Sequence, residues 1–180
     1  MTEIVDTYLG PTVLADQVYW HLVSPKQSMF FNNVRVGKGA VGSVSANIAA
    51  NPELALAQTA YSMSRINDDK EKIFDDVRCA INPALPPRLK SFYVFDDRAL
   101  ADRAVAEWFA SETKQIFECR VVRGSITHRV DTLWLNAQPA QWKANAEKYW
   151  RGEMTSVPFP EVLVQGTLYF PDWKSFPWGV

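Results

Sequence analysis

The sequence predicts a mixed α+β domain, on three observations. Strand-like and helix-like segments follow one another as strand, two helices, strand, helix, two strands, helix, strand. That order is not the regular βαβα alternation of a doubly wound sheet, and it favours a split or strongly bent sheet. The 180 residues suffice for one core, and no repeat, low-complexity tract or linker divides them. One domain over 1–180 is therefore expected, with its core at about 17–170 and an aromatic, proline-broken tail, "PDWKSFPWGV", at 171–180.

The first strand is "QVYWHLVS" (17–24), where Val18, Tyr19, Trp20, Leu22 and Val23 favour the pleated state around a central His21. "VGKGAVGSVSAN" (36–47), with three glycines, reads as a flexible loop; Lys38 lies between glycines, so it is no phosphate loop. "NPELALAQTAYSMSR" (51–65) reads as a helix with Asn51 as N-cap and Pro52 at the first position, its face marked by Leu54, Ala57, Tyr61 and Met63. "NDDKEKIFDDVRCAI" (67–81) reads as a second helix. Its acidic start complements the helix dipole, and Phe74, Val77 and Ile81 form a stripe. Three prolines in "NPALPPR" (82–88) stop it.

"RLKSFYVF" (88–95) is the next strand, with Ser91 and Tyr93 on one side and Phe92 on the other. Asp96 or Asp97 caps "RALADRAVAEWFASE", whose inward face is Ala101, Ala104, Val105 and Trp108. "IFECRVV" (116–122) and "RVDTLWL" (129–135) read as strands joined in hairpin fashion by "RGSITH". "PAQWKANAEKYWRG" (139–152) is a helix with Trp142, Ala146, Tyr149 and Trp150 inward and Gly152 as its stop. In the last strand, "EVLVQGTLYF" (161–170), Gly166 marks a bulge or a close backbone approach.

Nineteen Lys+Arg against 20 Asp+Glu give a net charge of −1, which weighs against a broad phosphate-binding surface. Two cysteines make no disulfide framework, and "MTEIVDTYLGP" has no signal-peptide character, so a cytoplasmic protein is expected. No apolar run approaches the ~18 residues that would imply a membrane span. His21 and His128 have no second ligand at metal-site spacing, so no metal is expected. Taken singly, each candidate has an ordinary alternative. His21 can be a core or surface side chain, Glu161 a solvated strand-end carboxylate, Tyr93 sheet packing and Arg88 a surface arginine.

Three segments change that balance: "VYWHLVS", "FDDVRCAINPALPPRLKSFYVFDDRALADRAVAEW" and "YWRGEMTSVPFPEVLVQGTLYF". In this order they resemble the ADP-ribosyltransferase superfamily. Within it, the chain is similar to the diphtheria-toxin-like branch and to an uncharacterised bacterial and phage group. The resemblance implies split, mostly antiparallel sheets flanked by helices. It implies a mono-ADP-ribosyltransferase that moves ADP-ribose from NAD to a macromolecule and releases nicotinamide, with no metal and no membrane, in a bacterial or phage-infected cytoplasm. His21, Tyr93 and Glu161 match the branch's His, Tyr and Glu. Glu161 would stabilise positive charge developing on the ribose, His21 would bind a ribose hydroxyl, and Tyr93 would stack on nicotinamide. Leu22 would offer a backbone contact, Arg88 and Arg78 would pair with the diphosphate, and Ser91 would support the strand or the glutamate. Phe92 would replace Tyr93 if the register slipped by one.

Phe159, two before Glu161, departs from the Gln or Glu of arginine-modifying members, and Leu22 stands where many relatives have Gly. A protein acceptor is favoured over nucleic acid. A nucleic-acid acceptor would need a small basic mouth around Arg35, Lys38, Arg78, Arg88 and Lys90. The alternative to an enzyme is a catalytically silent interaction protein that docks through Trp173, Phe176 and Trp178.

Overall fold

A computed structural model of the chain describes residues 3–59, 62–63 and 68–176. It is α+β, as its sequence predicts, and the strand pairings described here are antiparallel. Contacts divide it into two compact units, Met1–Gly42 with Tyr93–Ser125 and Gly166–Val180, and Ser43–Phe92 with Ile126–Gln165.

The first unit is built on β1 (Ile4–Thr7), β2 (Gly10–Val23), β3 (Ala40–Gly42), β4 (Phe92–Phe95, all but its first residue), β5 (Gln115–Val122) and β8 (Thr167–Tyr169). Their order is β3-β8-β5-β2-β4, with β1 paired to the start of β2. The strand expected at 17–24 is thus the second half of a longer one. A register shift between Leu14 and Val18 bends β2, and Arg120 Nε donates to the Ala15 carbonyl at 2.8 Å. The guanidinium thereby satisfies a carbonyl that the bulge removes from the ladder.

Helices α1 (Ser28–Val36) and α4 (Arg98–Trp108) belong to this unit. Asp97 caps α4 by accepting from Ala99 N at 2.8 Å, and Ala101 and Ala104 are fully buried. Trp108 departs from the expected inward face: it is 41% exposed, with its ring tilted against Phe95 at a centroid distance of 6.0 Å. The described part of the tail packs on its own unit. Phe176 is buried at 2% exposure among Phe31, Phe117 and Phe170, the nearest ring centroid 4.5 Å away. It is core, not a docking ring; Trp178 lies outside the described residues.

The second unit holds α2 (Val44–Ala50), α3 (Asp69–Ile81), α5 (Trp142–Trp150), β6 (Ile126–Asp131) and β7 (Pro160–Gln165). Helix α2 occupies part of the expected loop, because Ser43 caps it by accepting from Ala46 N. The helix expected over 51–65 does not run unbroken: among the described residues 55–59 are not helical, while 62–63 are. Asn51 ends α2 and opens a single 3-10 turn at Pro52–Leu54. Thr59 and Ser62 then exchange side-chain to backbone bonds in the reciprocal pattern that opens a helix, so the helical residues 62–63 begin after Thr59 rather than after Asn51. Of the expected face, Leu54 and Met63 are exposed, and Tyr61 lies outside the described residues.

Helix α3 begins where its acidic start suggests, with Asp68 accepting from Lys70 N at 3.0 Å. Phe74 and Val77 are buried, but Ile81 is 38% exposed at the frayed end of the stripe. Phe74 and Tyr149 meet edge to face with centroids 5.5 Å apart, which packs α3 on α5. Trp150 donates its indole N–H to the Phe74 carbonyl at 2.6 Å. Gly152, at φ +70°, ends α5 as expected.

Three strand boundaries differ from expectation. Residues 88–90 form a 3-10 turn, so β4 starts only at Phe92. β6 stops at Asp131, whose carboxylate accepts from Leu133 N and turns the chain into a 3-10 segment. No hairpin joins β5 to β6: β5 pairs with β2 and β8, and β6 pairs with β7. The last expected strand is broken at Gly166, where a Cβ would meet Ser125 Oγ at 2.1 Å.

Candidate active site

Strand β7 reads Pro160-Glu161-Val162-Leu163-Val164 and is buried along all five residues. A run buried on both faces is normally apolar, so Glu161 in it, 5% exposed, needs partners. Arg88 supplies the first: its Nη1 lies 3.6 Å from Glu161 Oε1. The two prolines before Arg88 and the 3-10 turn it opens hold its backbone.

Arg88 is itself 5% exposed and grips Glu71 with two bonds, Nε to Oε2 at 3.0 Å and Nη2 to Oε1 at 3.2 Å. Its Nη1 also donates to the Tyr149 hydroxyl. Tyr149 is fully buried on α5, and its hydroxyl is hydrogen-bonded to Glu161 as well. Two carboxylates, one guanidinium and one phenol therefore share a dry space. Burial pushes the Glu161 carboxyl up to about 7; Arg88 pulls it down, and the Glu71 charge adds to the rise. Near neutral pH Glu161 sits at the balance between acid and carboxylate. Burial likewise pushes the Tyr149 phenol well up, so it stays protonated. Glu71, Arg88 and Trp150 also line a cleft of about 270 Å³ in this unit, with Lys72, Asp75 and Lys90.

In the first unit, His21 lies on β2 opposite Val94 of β4 and Phe117 of β5. Its Nδ1 is 2.7 Å from the Tyr93 carbonyl. A carbonyl only accepts, so Nδ1 carries the proton and Nε2 the lone pair. Burial lowers its pKa to about 4, against a smaller upward pull from the Tyr93 bond, so the ring is neutral. Phe30 and Phe170 flank it with centroids 5.5 and 6.1 Å away. The structure thus joins His21 to Tyr93, through the tyrosine backbone; the Tyr93 side chain is half-buried, as is Leu22 beside His21. Glu161 belongs to the other unit, with Arg88, Arg78, Ser91 and Phe92.

Several expected ligands are otherwise engaged. Arg78 donates to Asp75, to the Pro83 and Leu85 carbonyls and to the Cys79 sulfur. It staples the proline segment to α3. Arg88 is committed to Glu71 and Tyr149 in the same way. Ser91 is buried, but its Oγ has no hydrogen-bond partner among the described residues, so it does not support the glutamate as expected. Phe92 is half-buried and opens β4. Phe159 is wholly buried; its backbone N–H donates to Asp131 and its carbonyl accepts from Thr132. Among the described residues no group of His, Cys, Asp and Glu is arranged to hold a metal ion.

Sequence reasoning missed Glu71 as a partner of the site. Its signal was present: Glu71, Phe74 and Arg78 recur at helical spacing on the buried side of α3. It read Tyr149 as core and missed its hydroxyl. It also missed Asp131, which is fully buried and accepts from Leu133 N, Thr155 N, Thr155 Oγ1 and Phe159 N. Burial pushes that carboxyl up, but these bonds outweigh it and hold it below the usual range.

A family model described as a protein of unknown function, DUF2441, matches residues 19–171. The chain belongs to this family. The DUF2441 match contains every candidate from His21 to Glu161, and also Glu71, Asp131 and Tyr149. It leaves out β1, most of the β1–β2 hairpin and Phe176. None of the curated proteins compared with this DUF2441 chain matches it.

Proposed function

We propose that this protein is a mono-ADP-ribosyltransferase of the cytoplasm, using NAD as its substrate and a macromolecule, protein rather than nucleic acid, as acceptor. The observation that supports it most is Glu161, a carboxylate buried beside a fixed guanidinium and poised near neutral pH. A buried glutamate of that kind, in a segment that resembles the glutamate segment of the superfamily, suits chemistry in which positive charge develops on a sugar.

The reaction breaks the bond between the ribose C1′ and the nicotinamide nitrogen. The electron pair of that bond goes to the ring nitrogen and cancels its positive charge. As C1′ becomes electron-poor, ionised Glu161 stabilises it, and the acceptor's nucleophile then bonds to C1′. The proton released by the acceptor passes to Glu161 or to water. His21, neutral with its lone pair on Nε2, accepts from a ribose hydroxyl. Tyr93 offers its ring to nicotinamide. Arg78 and Arg88 are not assigned to the diphosphate, because both guanidinium groups are spent on protein acceptors.

Purified protein incubated with NAD is expected to release nicotinamide slowly even without acceptor. Glu161→Gln should lower that rate on the order of 100-fold or more while leaving the melting temperature near that of the parent. Labelled NAD offered in parallel to protein extract and to RNA and DNA identifies the acceptor class. Absence of both nicotinamide release and NAD binding would remove the proposal.

A further inference from the structure

We infer that Glu71 and Tyr149 are positioning residues: together they hold Arg88 in place as the built-in counter-ion of Glu161. The inference rests on the role proposed for Glu161, and it turns Arg88 from a ligand of substrate phosphate into part of the carboxylate's own setting.

Geometry carries it. An arginine that binds phosphate spends the donors of its planar fork on the anion. Arg88 instead turns Nε and Nη2 onto the two oxygens of one carboxylate, at 3.0 and 3.2 Å, and Nη1 onto a phenol. The side chains of Arg88, Glu71 and Glu161 are each 6% exposed or less, and Tyr149 is fully buried. Three elements contribute one group each: α3 gives Glu71, the 88–90 turn gives Arg88 and α5 gives Tyr149. The edge-to-face contact of Phe74 with Tyr149 and the Trp150 to Phe74 hydrogen bond lock α3 against α5, so the distances within the cluster are set by packed helices.

The charge balance needs all three. Glu71 takes up part of the Arg88 charge through its two bonds. What Arg88 still offers Glu161 is therefore the residue of a shared charge, and the phenol bridging both groups fixes how much reaches it. Among the described residues of this unit the titratable and charged groups that act on Glu161 are these three. On β6 its cross-strand neighbour is Val130; of the flanking residues, Arg129 is exposed and Asp131 is tied to Leu133, Thr155 and Phe159.

Two near-isosteric substitutions then act in opposite directions. Glu71→Gln removes a like charge beside Glu161 and a competitor for Arg88, so Glu161 should titrate at lower pH, by about one unit or more. Tyr149→Phe removes a donor to the carboxylate, so Glu161 should titrate at higher pH. The measurement is the carbon-13 NMR titration of the Glu161 side-chain carboxyl in the full chain, its signal identified by loss in Glu161→Gln. This readout needs no turnover, so a protein that fails to cleave NAD still tests the inference. Where NAD is cleaved, the pH profile of nicotinamide release should move with the NMR titration, and KM for NAD should stay within about threefold. Opposite shifts in the two variants support the positioning role. An unmoved titration in both, or a large change in KM for NAD with an unmoved profile, overturns it and returns Arg88 to the substrate.

Discussion

Glu161 must be ionised to stabilise a cationic sugar, and burial holds its carboxyl up to about 7. Nicotinamide release is therefore expected to rise with pH through about 7 and to level above it, a profile measurable under kcat/KM conditions. The same residue shapes stability. Its folded pKa stands above the ordinary carboxylate value, so the folded state binds more protons, and stability from this group falls as pH rises from about 4.5 to about 7. His21 acts the other way. Its pKa is lowered to about 4 in the folded state, so its contribution is present above 6.5 and is lost as pH falls through about 4. The two oppose each other between those limits. In Glu161→Gln only the histidine effect remains, so urea midpoints of this variant should fall more steeply with acidification than those of the parent. Asp131 reinforces the acid limit: its carboxyl is held below the usual range, so its stabilisation is present above pH 3.8 and lost as pH falls below that. Asp131→Ala leaves several buried donors unanswered, and denaturant unfolding at neutral pH should show a loss of about 3 kcal/mol or more.

Helices with polar caps and proline stops were legible in the sequence. Asp68 and Asp97 begin α3 and α4, and Gly152 ends α5, because a cap is a local interaction between residues a few positions apart. Elements that depend on distant partners were not. The stretch at 36–47 looks like a glycine loop, yet β3 forms against β8 and α2 forms on Ser43. The proposed hairpin at 123–128 fails because neither strand there finds its partner across the short connection. Asn51 looks like a helix N-cap and does cap a turn, but no apolar stripe follows to carry it beyond Leu54. Glu161 was legible as a polar residue opening an apolar strand. Its partners were not, since Glu71 and Tyr149 come from helices remote in the chain. The aromatic tail looked suited to a partner, but Phe176 packs into its own unit. Phe176→Ala is accordingly expected to cost about 3–5 kcal/mol, seen as a fall in melting temperature, while any capture of a partner protein that survives it would not run through this ring.

Across the whole molecule the chain passes between its two units at Gly42, Phe92, Ser125 and Gln165, so neither unit is one continuous segment. A fragment ending at Ser125 would lack β8 of the first unit and both β6 and β7 of the second, and circular dichroism should show it unfolded. Among the described residues no helix is long and apolar enough to cross a membrane. The near balance of 19 basic and 20 acidic residues suits a protein acceptor better than a long nucleic-acid contact. At this scale the proposed function makes its strongest demand, that His21, Tyr93 and Glu161 serve a single dinucleotide. The deciding measurement is an NMR titration of the labelled full chain with NAD. Saturable shifts at His21 and Tyr93 and at Glu161, following one binding curve and lost together in His21→Ala, are the expected result. Shifts at only some of these three residues, or none at millimolar NAD, would contradict the account.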